Sequence, residues 1–137
     1  MATGAQIVTE FVDALRELPG VIVTRSSLSR NVFELSSPRT FLLYVKGRAE
    51  SPYRWGVTAN VISRLRAQKR DWFVVLLYES KETGYLLSAS DVTHYMSGVW
   101  PLGGDGDYKP APGSYLDRNR PFKSFNSFSR AVDLVAD

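Results

Sequence analysis

The sequence contains no cysteine, which excludes disulfide bonds and thiolate metal sites. Its single histidine, His94, excludes a metal site built from several histidines. No apolar run approaches roughly 18 residues, the length that indicates a membrane-spanning helix. No signal-peptide pattern opens the chain, so we expect a cytoplasmic protein with no membrane partner.

Length and composition indicate a globular protein. The 137 residues are 44% hydrophobic and 12% aromatic, which suits a folded chain rather than a disordered one. We therefore predict a single domain over residues 1–137, large enough to bury a hydrophobic core.

Positive charge is concentrated in the middle of the chain. The net charge is +3, yet residues 25–70 alone carry +8, from ten basic and two acidic residues. Such a block is expected of a protein that binds a polyanion such as nucleic acid. A solvated basic surface would give the same pattern, so charge alone leaves both interpretations open.

Hydrophobic periodicity predicts a mixed α/β fold. The predicted order is helix, three strands, helix, strand, short strand, helix, loop and helix. A short turn makes the second and third strands antiparallel, and the apolar run WFVVLLY reads as a central strand covered on both faces. The predicted bounds are helices over 5–18, 57–69, 91–97 and from Ser124, strands over 21–25, 31–36, 41–48, 72–78 and 84–88, and a loop over 98–121.

The third predicted strand, FLLYVKGR, carries a lysine inside an apolar run. Alternation places Phe41, Leu43 and Val45 on one face, and Leu42, Tyr44, Lys46 and Arg48 on the other. Lysine is rarely buried without a partner, so Lys46 needs a reason. Its amine could reach water at the strand end, form a cross-strand ion pair with Glu34, or serve a functional site.

This order of elements, with these residues, resembles the PD-(D/E)XK nuclease superfamily, which includes restriction endonucleases and archaeal Holliday-junction resolvases. In that family an acidic residue lies on the second strand of a three-strand meander, and Glu-x-Lys lies on the third. Glu34 in NVFELS matches the first acid, Lys46 in LLYVKGR matches the lysine, and Glu10 in VTEFVDAL matches a glutamate on the first helix. The resemblance implies a restriction-endonuclease-like core over about residues 5–88, with an extension over about 89–137.

The resemblance also implies a chemistry. Glu34 and Glu10 would hold Mg²⁺, and Lys46 would orient the attacking water and offset charge in the transition state. Tyr44 stands where the family has its second acid, and a phenol is a poor Mg²⁺ ligand. Another acid such as Glu50 could replace it, or the domain could bind nucleic acid without cutting it.

Five further basic side chains could contact the phosphate backbone of a nucleic acid. Tyr53 and Trp55 could stack on exposed bases, or pack within the protein. An alternative function is a protein-interaction module that uses the loop over 98–121. The resemblance also allows a homodimer, because family members that cut both strands often work as dimers. The candidate backbone contacts are Arg48, Arg54, Arg64, Lys69 and Arg70.

Overall fold

A six-stranded mixed sheet lies between two layers of helices in the computed structural model, which describes residues 3–37, 39–112, 116 and 121–132. The helices are α1 (Gly4–Arg16), α2 (Ala59–Arg66), α3 (Ala89–Met96) and α4 (Phe125–Ala131). The strands are β1 (Ile22–Arg25), β2 (Val32–Ser37), β3 (Arg39–Arg48), β4 (Val57–Thr58), β5 (Asp71–Tyr78), β6 (Gly84–Ser88), β7 (Asp107–Tyr108) and β8 (Pro121–Phe122).

The sheet has the strand order β1-β2-β3-β5-β6-β8. β1, β2 and β3 form an antiparallel meander, and β6 is antiparallel to both β5 and β8. β3 and β5 are parallel, and they pair from Phe41 with Asp71 through Arg48 with Tyr78. A parallel pair needs a crossover connection, which the segment containing α2 provides.

Each face of the sheet has its own hydrophobic core. Phe33, Phe41 and Val45 point to the face covered by α1 and α4, where the edge of Phe11 meets the ring of Phe128 at 4.9 Å between centroids. Val32, Leu42 and Tyr44 point to the opposite face, covered by α2 and α3. The predicted alternation along β2 and β3 is therefore confirmed, as is the burial of β5 on both faces.

The first turn of α1 crosses very close to the end of β3. A Cβ atom on Gly4 would collide with the carbonyl oxygen of Gly47, and one on Gly47 would lie 2.5 Å from the carbonyl oxygen of Gly4. Two glycines at this crossing allow the helix to pack directly on the strand backbone. The capping box of Thr3 and Gln6 starts α1 at the same end of the sheet.

The mixed α/β prediction is confirmed, with four helices among the described residues, and several boundaries are corrected. The predicted helix over 57–69 is shorter, because Val57 and Thr58 instead form β4, which pairs with β7. The N-cap residue of α3 is Ser88, so this helix begins two residues before the predicted bound at 91.

The loop predicted over 98–121 also needs correction, since it contains β7 and the first residue of β8. Ser124 caps α4 as predicted. Residues 113–115, 117–120 and 133–137 lie outside the described ranges. No helix within those ranges is long and apolar enough to cross a membrane.

We predict that Gly47→Ala destabilises the fold by about 1–3 kcal/mol, because the new methyl group overlaps backbone that cannot move independently. Urea unfolding measures the loss. Gly104→Ala is the matched control, since a Cβ there has no heavy atom within 4 Å. Equal stability of the two variants would contradict the tight crossing.

Candidate nucleic-acid interface

Lys46 lies near the carboxyl end of β3, beside Leu76 of β5 and on the face covered by α2. Its side chain is partly buried. None of the described residues forms a hydrogen bond or an ion pair with its ammonium group. Because no described residue uses its N–H donors, the ammonium group can donate them to an anionic ligand.

Burial and two charged neighbours affect the pKa of Lys46. Burial lowers the pKa of Lys46 below its ordinary value, because the ammonium loses part of its hydration. The carboxylate of Asp107 opposes that shift, and the ammonium of Lys109 adds to it. The ammonium group of Lys46 therefore lies near one negatively and one positively charged side chain.

Asp107 reaches this position through the pairing of β7 with β4, in which it lies opposite Thr58. Gly56 leaves room for it, since a Cβ at that position would be 2.8 Å from Asp107 Oδ2. Lys109 Nζ lies 3.9 Å from the same oxygen and 2.8 Å from Asp105 Oδ2. This segment belongs to the loop predicted over 98–121, and nothing in its spacing connects Asp107 to Lys46.

Tyr44 stands where the nuclease pattern has its second acid, and in this structure it is a core residue. Its side chain is 2% exposed, and its hydroxyl oxygen accepts a hydrogen bond from the backbone N–H of Thr58 at 3.2 Å. Thr58 is the N-cap residue of α2 and makes no side-chain capping bond. Tyr44 thus anchors the start of α2 to β3.

Glu34 lies away from Lys46 along the sheet. It pairs in register with Leu42, four residues before Lys46, which corresponds to about 13 Å at the rise of a strand. Its carboxylate instead forms an ion pair with Arg70 at 2.5 Å. The cross-strand ion pair between Glu34 and Lys46 is therefore not formed.

Glu10 is exposed on α1, which covers the face opposite to that of Glu34 and Lys46. The two carboxylates predicted to share Mg²⁺ are thus separated by the sheet, and their arrangement does not fit a common ion. Within the ranges that the structure describes, no group of three or more histidine or carboxylate side chains could hold a metal.

The five candidate backbone contacts divide between two ends of the sheet. Arg48 ends β3, Arg54 lies in the loop that follows, and Arg64 donates from α2 to the carbonyl oxygen of Leu28 at 3.1 Å. Leu28 lies in the loop that leads into β2 beside the end of β3. Lys69 and Arg70 lie at the opposite end, just before β5. We call Lys46, Arg48, Arg54 and Arg64 the basic end of the sheet.

The two aromatic candidates pack within the protein. Trp55 is 2% exposed, and its Nε1 donates to the carbonyl oxygen of Leu77 at 2.8 Å, so it cannot stack on a base. Tyr53 remains partly exposed, and its ring lies 5.1 Å from that of Tyr78. Its hydroxyl donates to Glu79 at 2.5 Å, which raises the pKa of Tyr53 to about 12.

No protein-family model, curated protein or solved structure matches this chain.

We predict that Tyr44→Phe lowers the free energy of unfolding by about 1 kcal/mol, because the amide of Thr58 loses its acceptor in a partly buried position. Chemical denaturation measures the change. Tyr78→Phe is the control, because the Tyr78 hydroxyl makes no hydrogen bond to a described residue. A similar loss in the control would argue against a specific anchor.

We predict that Lys46→Met leaves stability unchanged or raises it by up to about 1 kcal/mol at neutral pH, because it removes a partly buried charge without a direct partner. In the wild type, the cost of that charge fades as the pH rises through the lowered pKa towards the ordinary value of 10.5, so the advantage of the variant should shrink. Urea titrations between pH 7 and 10 test both statements. Clear destabilisation at pH 7 would make Lys46 a structural residue.

Proposed function

We propose that this protein binds nucleic acid through the basic end of the sheet, on a restriction-endonuclease-like scaffold. It does so without hydrolysing the phosphodiester backbone of the nucleic acid. The observation that carries the proposal is the difference in charge pairing between the two ends of the sheet.

At the end of the sheet where β5 begins, two arginines have acidic partners, whereas Lys69 forms no ion pair with a described residue. Arg70 pairs with Glu34 at 2.5 Å, and Arg39 pairs with Asp71 at 3.7 Å. These pairs neutralise the surface and leave little attraction for a polyanion.

At the basic end, none of the four side chains forms an ion pair with a described carboxylate. Arg48 and Arg64 donate to backbone carbonyl oxygens, of Glu50 and Leu28, which leaves their charge uncompensated. Guanidinium and ammonium groups in this state are the ordinary contacts to phosphate oxygens. A backbone that follows the carboxyl ends of β3 and β5 could meet several of them.

The topology supports the scaffold part of the proposal. A helix, a three-strand meander, a second helix and a further strand are the elements that the family resemblance implies, and α1, β1–β3, α2 and β5 follow this order. Lys46 lies near the end of the third strand, as that resemblance also implies. The segment after β6 adds α3, β7, β8 and α4 to these elements.

The positions of the carboxylates support the non-hydrolytic part of the proposal. Tyr44 replaces one acid with a buried phenol, Glu34 is engaged with Arg70, and Glu10 lies across the sheet. Mg²⁺ is bound through carboxylate oxygens, and these residues do not offer two of them at one place. Lys46 would then contact phosphate rather than orient a water.

We predict that Arg48→Ala weakens binding and reduces the slope of log affinity against log salt concentration by about 1, as expected for one lost phosphate contact. Gel shifts and fluorescence anisotropy with duplex, single-stranded and branched DNA, and with RNA, would measure it across salt concentrations. Arg39→Ala is the matched control, because it removes the same charge from the opposite end and should leave the slope unchanged.

The same substrates, incubated with Mg²⁺, Mn²⁺ or EDTA, test for cleavage, and we expect none. Cleavage that requires metal and is lost in Lys46→Ala would show an active nuclease and overturn the non-hydrolytic assignment. Absence of binding to every substrate at low salt would refute the nucleic-acid proposal and favour a protein-interaction module.

A further inference from the structure

A cavity of about 300 Å³ lies on the other side of the sheet, between α1 and the edge where β1 ends and β2 begins. This volume is at the lower limit of the range for small-molecule sites, roughly 300–1,000 Å³. Its floor is apolar, formed by Val8 and Val12 of α1 and Phe33 of β2. The cavity can therefore accept the flat apolar face of one small ligand.

The rim of the cavity is strongly basic. Arg16 comes from the last turn of α1, Arg25 from the last residue of β1, and Arg30 from the loop before β2. Asp13 is the carboxylate among the described lining residues, and it lies 3.5 Å from Arg16. Arg25 and Arg30 form no ion pair with a described residue, so the rim has an excess of positive charge.

Two side chains are already held in place at this rim. The guanidinium carbon of Arg25 lies 5.7 Å from the centroid of the Phe33 ring, so the arginine is positioned over the floor. Asn31 donates from Nδ2 to the carbonyl oxygen of Val45 at 2.9 Å, which leaves its side-chain oxygen to accept another hydrogen bond. Groups restrained before binding lose less entropy when a ligand arrives.

The geometry points to a binding site for a nucleotide phosphomonoester, either a free nucleoside monophosphate or the terminal nucleotide of a strand. The phosphate, which carries close to two negative charges, lies between Arg25 and Arg30, where guanidinium groups can donate two hydrogen bonds each. The base lies on the apolar floor formed by Val8 and Val12, beside Arg25, and Asn31 accepts a hydrogen bond from its edge. Arginine planes and apolar side chains are common contacts for unpaired bases.

This inference goes beyond the function proposed above and does not depend on it. The cavity is on the face covered by α1, whereas Lys46 is on the face covered by α2. The cavity could therefore bind a nucleotide even if the basic end of the sheet binds no nucleic acid. The basic end could likewise bind nucleic acid if the cavity binds no nucleotide. The two assignments can fail separately.

Isothermal titration calorimetry on the full chain tests the site with adenosine and cytidine 5′-monophosphates, adenosine, and inorganic phosphate. We expect saturable binding of the monophosphates, and binding at least about tenfold weaker for adenosine and for phosphate alone, since each lacks one half of the contacts. Backbone amide NMR shifts should map the monophosphates to residues around Thr9 and Asn31, which line the cavity.

Arg25→Gln and Arg30→Gln should each weaken monophosphate binding by about tenfold, as expected for a lost charge-assisted hydrogen bond. Arg39→Gln is the control and should not change it. Both cavity variants alter exposed side chains, and urea unfolding would verify that they fold. Competition by an oligonucleotide with a 5′-phosphate, but not by the same strand without it, would identify a strand end as the source. Competition by neither strand would identify a free nucleotide.

Three results would overturn the site. They are no saturable binding of the monophosphates, equal affinity for inorganic phosphate, and unchanged affinity in both arginine variants.

Discussion

The parallel pairing of β3 with β5 is the contact on which the rest of the structure depends. It joins the antiparallel meander to the β5–β6 hairpin, and both strands are covered on two faces. Because parallel strands end at the same edge, the pairing brings the ends of β3 and β5 and their loops together. It also forces the chain to cross one face of the sheet through α2, which Tyr44 anchors at its start.

Charge is distributed unequally along this pair of strands. Where β5 begins, the ion pairs of Arg39 with Asp71 and of Arg70 with Glu34 join neighbouring segments on an exposed surface, where each contributes little to stability. Where β3 ends, Lys46 is partly buried without such a partner, and burial lowers its pKa.

The nuclease pattern and the observed geometry diverge for two physical reasons. At position 44 this chain has a phenol where the pattern has a carboxylate, and its buried hydroxyl accepts a hydrogen bond from the first residue before α2. At position 34 the register of β2 with β3 places the carboxylate beside Leu42 rather than beside Lys46. Either difference alone would weaken a metal site shared by these positions.

The order of apolar and polar residues was enough to predict the longer helices and strands, but not the two-residue strands β4, β7 and β8. Periodicity identified α1, the alternation of Phe33 and Leu35 with Val32 and Glu34, and the central position of WFVVLLY, because burial on one or two faces is written directly into the spacing of apolar residues. The predicted starts of two helices were wrong. Ser88 caps α3 before its predicted start, and Val57 lies in β4 rather than in α2.

Only the tertiary structure decided which charged residues meet. The register of β2 with β3 separated Glu34 from Lys46, and the pairing of β4 with β7 brought Asp107 near Lys46 from more than fifty positions along the chain. Arg25 and Arg30 were counted in the basic block of the sequence, but α1 had to pack beside them before they formed one rim with Arg16. Such contacts depend on long-range pairing, which leaves no period in the sequence.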